Sequence, residues 1–191
     1  MKTVVFHFDY ASPWAYLANE VLSRKLPGIT IDYRPTYLRG LETFSKGLPY
    51  TGAKLEYLMR DFARCAEHER VKVVQPPSFP LDGLAALRAA LVAKERGAFD
   101  RFHGAAFRGA WAEAKELNKK DNVAPLLAEA LGVAEAEALE AMAAQPIKDA
   151  LRDATAAAEK RGVFGVPTFF VGDEMFWGHD RFDYVARAAA A

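Results

Sequence analysis

The sequence predicts an α/β protein in which a sheet-containing domain is interrupted by a helical insertion. Near the start, "KTVVFHF" is a nearly continuous apolar run typical of a buried strand, and a helical pattern and a second strand, "ITIDYRPTYL", follow it. Near the end, a helix precedes "VPTFFVG" and "EMFWG", two short strands joined by Gly172-Asp173, and a last helix starts from Asp180. About 100 residues of helical pattern separate these two parts.

The first elements form a predicted βαβ unit. From Pro13 the apolar residues recur at helical spacing up to Lys25, and "LPG" then ends the helix. A strand, a helical crossover and a second strand make two parallel neighbours in one sheet.

The middle of the chain is predicted to be entirely helical. "KLEYLMRDFARCAEH" has an apolar stripe, and further helices are predicted at 82–95, 98–112, 121–131 and 135–144. Gly132 is a predicted helix C-cap, and Pro146 separates these helices from the next one, at 147–161. We therefore assign residues 1–45 and 147–191 to the sheet-containing domain and residues 46–146 to the insertion.

Composition excludes several functional classes. The 191 residues are 51% hydrophobic, and 25 Lys and Arg balance 25 Asp and Glu, so the chain has no basic field for nucleic acid or an anionic membrane. The N-terminus lacks the pattern of a signal peptide or a membrane span, which predicts a cytoplasmic protein. A single cysteine, Cys65, excludes an internal disulfide, a CxxC pair and a zinc cluster, and we expect it to be buried and inert. No metal site is predicted.

Three short motifs could carry chemistry, and each has a structural alternative. Ser12 before Pro13 makes a favourable helix start, but a helix N-terminus after a central strand also stabilises an anion. The Val166-Pro167 bond in "GVFGVPTFFVG" is either trans at a strand start or cis. His179 and Asp180 in "WGHDRFDYV" either form a turn with a helix cap or contact a ligand.

Taken together, "FDYASPWAYLA", "DYRP", "GVFGVPTFFV" and "WGHDRFDYV" resemble the 2-hydroxychromene-2-carboxylate isomerase family. That family is similar to kappa-class glutathione transferases and, more distantly, to DsbA. The resemblance covers most of the chain. It implies a thioredoxin-like domain interrupted by an all-helical insertion, with glutathione as cofactor.

The resemblance also implies roles for individual residues. Ser12 would stand where redox relatives carry the attacking cysteine, and it would hold the glutathione thiolate. Pro167 would be cis, the backbone of Val166 would pair with the cysteinyl unit, and His179 and Asp180 would receive the γ-glutamyl end. One departure is Leu48 in "KGLPYTG", where relatives often carry an Asn that contacts glutathione.

The function implied is a glutathione-dependent isomerisation of 2-hydroxychromene-2-carboxylate and trans-o-hydroxybenzylidenepyruvate, or of a related aromatic acid. Such a substrate needs an apolar slot and a cation, for which Tyr10, Trp14, Phe79 and Arg39 are the candidates. The alternatives are a kappa-type glutathione transferase and a non-catalytic binding protein of thioredoxin fold. The family often forms dimers, which makes a homodimer a candidate assembly, although the sequence identifies no interface.

Overall fold

A four-stranded mixed sheet organises the protein, for which the computed structural model describes residues 2–191. The strands are β1 (Val4–Phe8), β2 (Ile31–Pro35), β3 (Thr168–Val171) and β4 (Glu174–Trp177), in the order β2-β1-β3-β4. β1 is parallel to β2 and antiparallel to β3, which pairs with β4 in a hairpin. The predicted βαβ unit and C-terminal hairpin are both confirmed. Because β1 lies inside the sheet, its apolar run is buried on both faces.

Eight helices accompany the sheet within the described residues. They are α1 (Pro13–Lys25), α2 (Gly52–Glu69), α3 (Leu84–Glu95), α4 (Phe99–Ala112), α5 (Lys120–Leu131), α6 (Glu135–Ala143), α7 (Gln145–Lys160) and α8 (Phe182–Ala190). Two short 3₁₀ turns, Leu38–Gly40 and Glu42–Phe44, follow β2. All four strands fall within the ranges assigned to the sheet-containing domain, and helices α2 to α6 fall within the range assigned to the insertion. The exact boundaries between the two stay a prediction.

Two helix ends differ from the sequence-based expectation. α7 begins at Gln145 and includes Pro146 in its first turn, where the missing N–H has no helical partner to lose. α8 begins at Phe182 with Arg181 at the N-cap position, so Asp180 does not cap it. Gly132 ends α5 in the left-handed conformation, as predicted.

His103 of α4 joins the helical segment to the sheet. Its Nδ1 lies 2.9 Å from the Tyr10 hydroxyl and its Nε2 lies 2.9 Å from the Asn19 amide oxygen. Phe8, Phe99 and further aromatic rings surround the imidazole. Burial lowers the pKa of His103 to about 3, so the ring is neutral in the folded protein.

Within residues 2–191, no helix combines the length and the apolar character needed to cross a membrane.

Acid should destabilise the fold through His103. The unfolded side chain takes up a proton near its ordinary pKa of 6.5, whereas the folded one does so only near 3, so stability is lost as the pH falls between these values. We expect this residue to contribute a slope of about 1.4 kcal/mol per pH unit to the free energy of unfolding. Urea denaturation of wild type and His103→Gln at several pH values measures it. Equal slopes in the two proteins would contradict the account.

Candidate functional site

A cleft of about 470 Å³ opens where β1 leads into α1. Its walls come from six segments: the β1–α1 turn with the start of α1, the segment between β2 and α2, one face of α2, the segment before α3, the loop before β3, and the end of β4 with the residues that follow it. Most of its large side chains are apolar or aromatic: Trp14, Tyr37, Phe44, Tyr50, Phe62, Phe79, Phe164 and Trp177. Such a cleft suits a ligand with an apolar ring and a few polar groups.

Ser12 lies at the cleft as the N-cap of α1. Its hydroxyl oxygen accepts a hydrogen bond from the Ala15 N–H at 3.2 Å, and the hydroxyl donates to the Val166 carbonyl oxygen at 3.1 Å. The residue is only 4% exposed, and the first turn of α1 contains no acidic side chain. No acidic side chain within the first turn of α1 offsets the positive end of the helix dipole, which favours an anion beside Ser12. Ser12 is thus a helix cap whose position also suits anion binding.

The loop before β3 forms the opposite wall. The Val166-Pro167 peptide bond is cis, as the resemblance implied. Gly165 fits closely here, since a Cβ atom on it would lie 3.2 Å from Trp177 Nε1. The two loops meet because β1 pairs with β3, with His7 opposite Thr168.

His179 and Asp180 also line the cleft, on the side of α1. The His179 ring stacks on Trp14 with centroids 4.6 Å apart. Burial lowers the pKa of His179, and Asp180 opposes this, so the ring is predominantly neutral at pH 7. The Asp180 carboxylate pairs with Arg181 at 3.0 Å. Among the described residues, no group of three His, Cys, Asp or Glu side chains is arranged to hold a metal ion.

The predicted substrate residues divide into two groups. Trp14, Phe79 and Arg39 line the cleft. Tyr10 does not: it is 1% exposed, its hydroxyl contacts His103, and its ring packs among those of Phe102 and Phe107. Since the substrate cannot reach this ring, we leave Tyr10 out of the site.

Arg39 is not a free cation. Its guanidinium lies 3.3 Å from a carboxylate oxygen of Asp82, to which the Tyr37 hydroxyl also donates at 3.4 Å. Both Arg39 and Asp82 are partly exposed, so this ion pair is weak and can open for a competing carboxylate.

Sequence reasoning missed four charged residues of the cleft: Lys54, Asp9, Asp61 and Arg181. Lys54 is in the first turn of α2, with its ammonium 4.9 Å from the centroid of the Tyr50 ring. A cation at a helix N-terminus opposes the dipole, and this could have marked Lys54 in the sequence. Asp9 is the second, a fully buried carboxyl in the cleft wall. Leu48 also lines the cleft, at the position where an Asn was sought.

Cys65 differs from the expectation of a buried thiol. It is partly exposed and lines a second cavity, of about 420 Å³, together with Lys25, His68 and several acidic side chains. Burial and the nearby carboxylates of Asp61 and Asp180 raise the pKa of its thiol, which keeps it protonated and poorly reactive.

Comparison with known proteins gives a consistent result. The model of the DSBA-like thioredoxin domain family matches residues 3–190. A 2-hydroxychromene-2-carboxylate isomerase from Sphingobium xenophagum is 30% identical over 96% of this chain and 96% of its own. Glutathione S-transferase kappa 1 from Rattus norvegicus is 25% identical, covering 97% of this chain and 89% of its own.

A solved structure of a 2-hydroxychromene-2-carboxylate isomerase superposes with a TM-score of 0.84 at 27% identity, covering 98% of this chain and 94% of that one. The thioredoxin-like fold and the family resemblance are thereby confirmed.

Packing predicts that Gly83 and Gly104 differ in how well they tolerate substitution by alanine. Gly83 has φ −79°, which any residue adopts, yet a Cβ atom there would lie 1.7 Å from Asp9 Oδ1. Gly104, inside α4, meets only the flexible end of Arg108. Gly83→Ala should therefore lower the free energy of unfolding by about 2 kcal/mol or more, as overpacked sites do, whereas Gly104→Ala should not destabilise the protein, because alanine favours helix.

Urea denaturation of both variants tests this asymmetry. Unchanged stability in Gly83→Ala would show that Asp9 is not held as described.

Proposed function

Because the chain belongs to the DSBA-like thioredoxin domain family, and within it to the 2-hydroxychromene-2-carboxylate isomerases, we propose that it is a glutathione-dependent isomerase of aromatic carboxylates. One observation carries the proposal most strongly: the buried Ser12 hydroxyl lies at the N-terminus of α1, whose first turn has no acidic side chain, and it faces the carbonyl of Val166. This arrangement offers hydrogen bonding and positive potential to a sulfur anion without a nearby cysteine.

The cleft offers candidate partners for the thiol and for both carboxylates of glutathione. Ser12 and the start of α1 would hold the sulfur, and the backbone of Val166 would pair with the cysteinyl unit. At one end, Arg181, beside His179 and Asp180, provides a cation for the γ-glutamyl carboxylate. At the other, Lys54 provides a cation for the glycyl carboxylate. Leu48 supplies no amide in the wall, so the Asn contact that the resemblance implies has no side-chain counterpart at this position.

When bound, glutathione would supply a soft thiolate that adds reversibly to an electron-poor alkene; the resulting single bond rotates, and expulsion of the thiolate then restores the double bond and recovers glutathione unchanged. The Ser12 hydroxyl has one proton, which it now donates to Val166. Turning this proton toward the sulfur provides a charge-assisted hydrogen bond of about 1.5 to 3 kcal/mol. Since 1.36 kcal/mol corresponds to one pKa unit, Ser12 and the helix end together can ionise the thiol near neutral pH.

The remaining wall would select the substrate. Trp14, Phe79 and the aromatic rim at Phe44, Phe164 and Trp177 surround a planar ring. Arg39, released from Asp82, would pair with the substrate carboxylate. We therefore propose 2-hydroxychromene-2-carboxylate, trans-o-hydroxybenzylidenepyruvate or a related aromatic acid as the substrate.

A conjugating activity of kappa type is the second candidate, favoured by the similarity to the rat enzyme and by the open, exposed rim at Phe164 and Trp177. Product analysis separates the two activities. Unchanged glutathione after turnover supports the isomerase, and a stable adduct supports the transferase. No glutathione-dependent rate with any electron-poor aromatic alkene would leave a non-catalytic binding protein.

Ser12→Ala should raise the pKa of the bound glutathione thiol by about one to two pH units, because the thiolate loses a charge-assisted hydrogen bond. Calorimetric titration together with ultraviolet absorbance of the thiolate against pH measures this in wild type and variant. Ser23→Ala, at an exposed serine inside α1, is the matched control and should behave as wild type. An identical thiol pKa in all three proteins would leave Ser12 as a helix cap only.

Lys54→Met should raise KM for glutathione about tenfold, the loss of one ion pair of roughly 1.4 kcal/mol, with little change in kcat. Arg39→Met should raise KM for the aromatic acid instead. Steady-state kinetics with each reactant varied in turn distinguishes these effects. Lys46→Met, at an exposed lysine nearby, is the control. A change in the same KM for both variants would contradict the separate assignments.

A further inference from the structure

Asp9 connects the turn that carries Ser12 to the segment that carries Arg39. Its Oδ1 accepts the Ala11 N–H at 2.9 Å, and its Oδ2 accepts the Leu38 N–H at 2.8 Å. Its own carbonyl oxygen accepts the Ser12 N–H at 3.0 Å. Through its carboxyl and its backbone carbonyl, Asp9 thus holds both the turn that carries Ser12 and the start of the turn that presents Arg39.

The Asp9 carboxyl is enclosed although it belongs to the cleft wall. It is 0% exposed, and the missing side chain of Gly83 leaves just enough room for Oδ1. A carboxylate with no water contact loses most of its favourable solvation free energy, and hydrogen bonds from two N–H donors offset only part of this loss. Burial accordingly raises the pKa of Asp9 to about 7 despite the hydrogen bonds from Ala11 and Leu38.

The charged and titratable groups around Asp9 come from each neighbouring segment. Asp82, before α3, raises the pKa of Asp9, and Arg39, after β2, lowers it. Tyr10, in the same turn as Asp9, and Tyr37, after β2, are both held neutral because burial raises their pKa values. Asp9 is therefore the group of this set that changes charge near neutral pH.

The charges in the cleft favour a protonated Asp9 when anions are bound. Among the described residues, the lining contains three acids, Asp9, Asp61 and Asp180, and three cations, Arg39, Lys54 and Arg181. Glutathione adds two carboxylates and one ammonium, its ionised sulfur adds a further negative charge, and an aromatic carboxylate adds another. Of the three acids, Asp9 is the one without solvent contact, so protonating it relieves the excess at least cost.

We propose that Asp9 is a positioning residue that takes up a proton when a thiolate is held at Ser12 and releases it when the sulfur is protonated. The exchange breaks an S–H bond and forms an O–H bond, and the net charge of the cleft does not change. This inference rests on the proposed binding of glutathione. In this arrangement Asp9 acts through Ser12 and its turn, without contacting the substrate.

Proton release on glutathione binding tests the proposal without an activity assay. Titration calorimetry in buffers of different ionisation enthalpy, at about pH 8, counts the protons released. Wild type should release well under one proton per glutathione, because Asp9 retains it. Asp9→Asn has no such acceptor and should release about one, and the pKa of its bound thiol should fall by about one pH unit, because a like charge has been removed.

The direction of the thiol pKa change separates this role from a merely structural one. If Asp9 only shapes the turn, the Asn variant misplaces Ser12 and the thiol pKa rises. Asp61→Asn removes a partly exposed acid from the same cleft and should leave proton release unchanged. The number of protons that wild type releases per glutathione is informative without any variant. Release of a full proton overturns the proposal even if Asp9→Asn does not fold.

The two proposals fail in different ways. Absence of glutathione binding by wild type, or an identical thiol pKa in Ser12→Ala, overturns the proposed function and this inference with it. Ser12-dependent thiolate binding, combined with equal proton release in wild type and Asp9→Asn, overturns the role of Asp9 alone.

Discussion

The site depends on the antiparallel pairing of β1 with β3, which brings the Ser12 hydroxyl within hydrogen-bond distance of the Val166 carbonyl. These residues are 154 positions apart, and they meet because β1 and β3 are antiparallel neighbours inside the sheet. The β1–α1 turn and the loop before β3 therefore lie at the same end of these two strands. Any change of register between the two strands would separate a helix N-terminus from the backbone that faces it, and the cleft would lose both polar walls at once.

The helical segment contributes to the site by holding this turn from behind. Trp111 Nε1 donates to the Tyr10 carbonyl at 2.8 Å, and His103 contacts the Tyr10 hydroxyl. Both partners come from α4, and both bonds are buried. The residues just before Ser12 are thus fixed by the helices and the residues just after it by α1. Such a rigid turn holds a hydroxyl in place before any ligand arrives, which reduces the entropy lost on binding.

Local patterns predicted much of the structure. The strands, the hairpin at Gly172-Asp173 and the helix from Pro13 follow from periodicity and turn residues, because short-range sterics and amphipathicity determine them. Pro167 and His179, which were selected from the family resemblance, line the cleft. Tyr10 could not be placed, because a tyrosine beside a strand end can face a cleft or a core, and only the distant partner His103 decides between them.

Asp9 and Asp180 show the same limit. A carboxylate after a strand is normally expected at the surface, and nothing local indicates that Leu38 and Gly83 enclose Asp9. Asp180 matches a helix-cap pattern, but α8 begins two residues later and the carboxylate pairs with Arg181. Both outcomes depend on contacts between segments far apart in the chain, which sequence spacing does not encode.

The state of His179 restricts how an anion can be held at this site. A protonated imidazole would offer a second cation to the γ-glutamyl end, but burial against Trp14 lowers its pKa and keeps the ring neutral. If glutathione binds as proposed, Arg181 would provide the positive charge, and Asp180 already pairs with it. The same neutrality means that the His179 ring adds no positive charge to favour a sulfur anion. In the proposed function, the helix end and the single hydroxyl of Ser12 would supply that stabilisation, so the proposal depends on an intact α1 N-terminus more than on any one charged side chain.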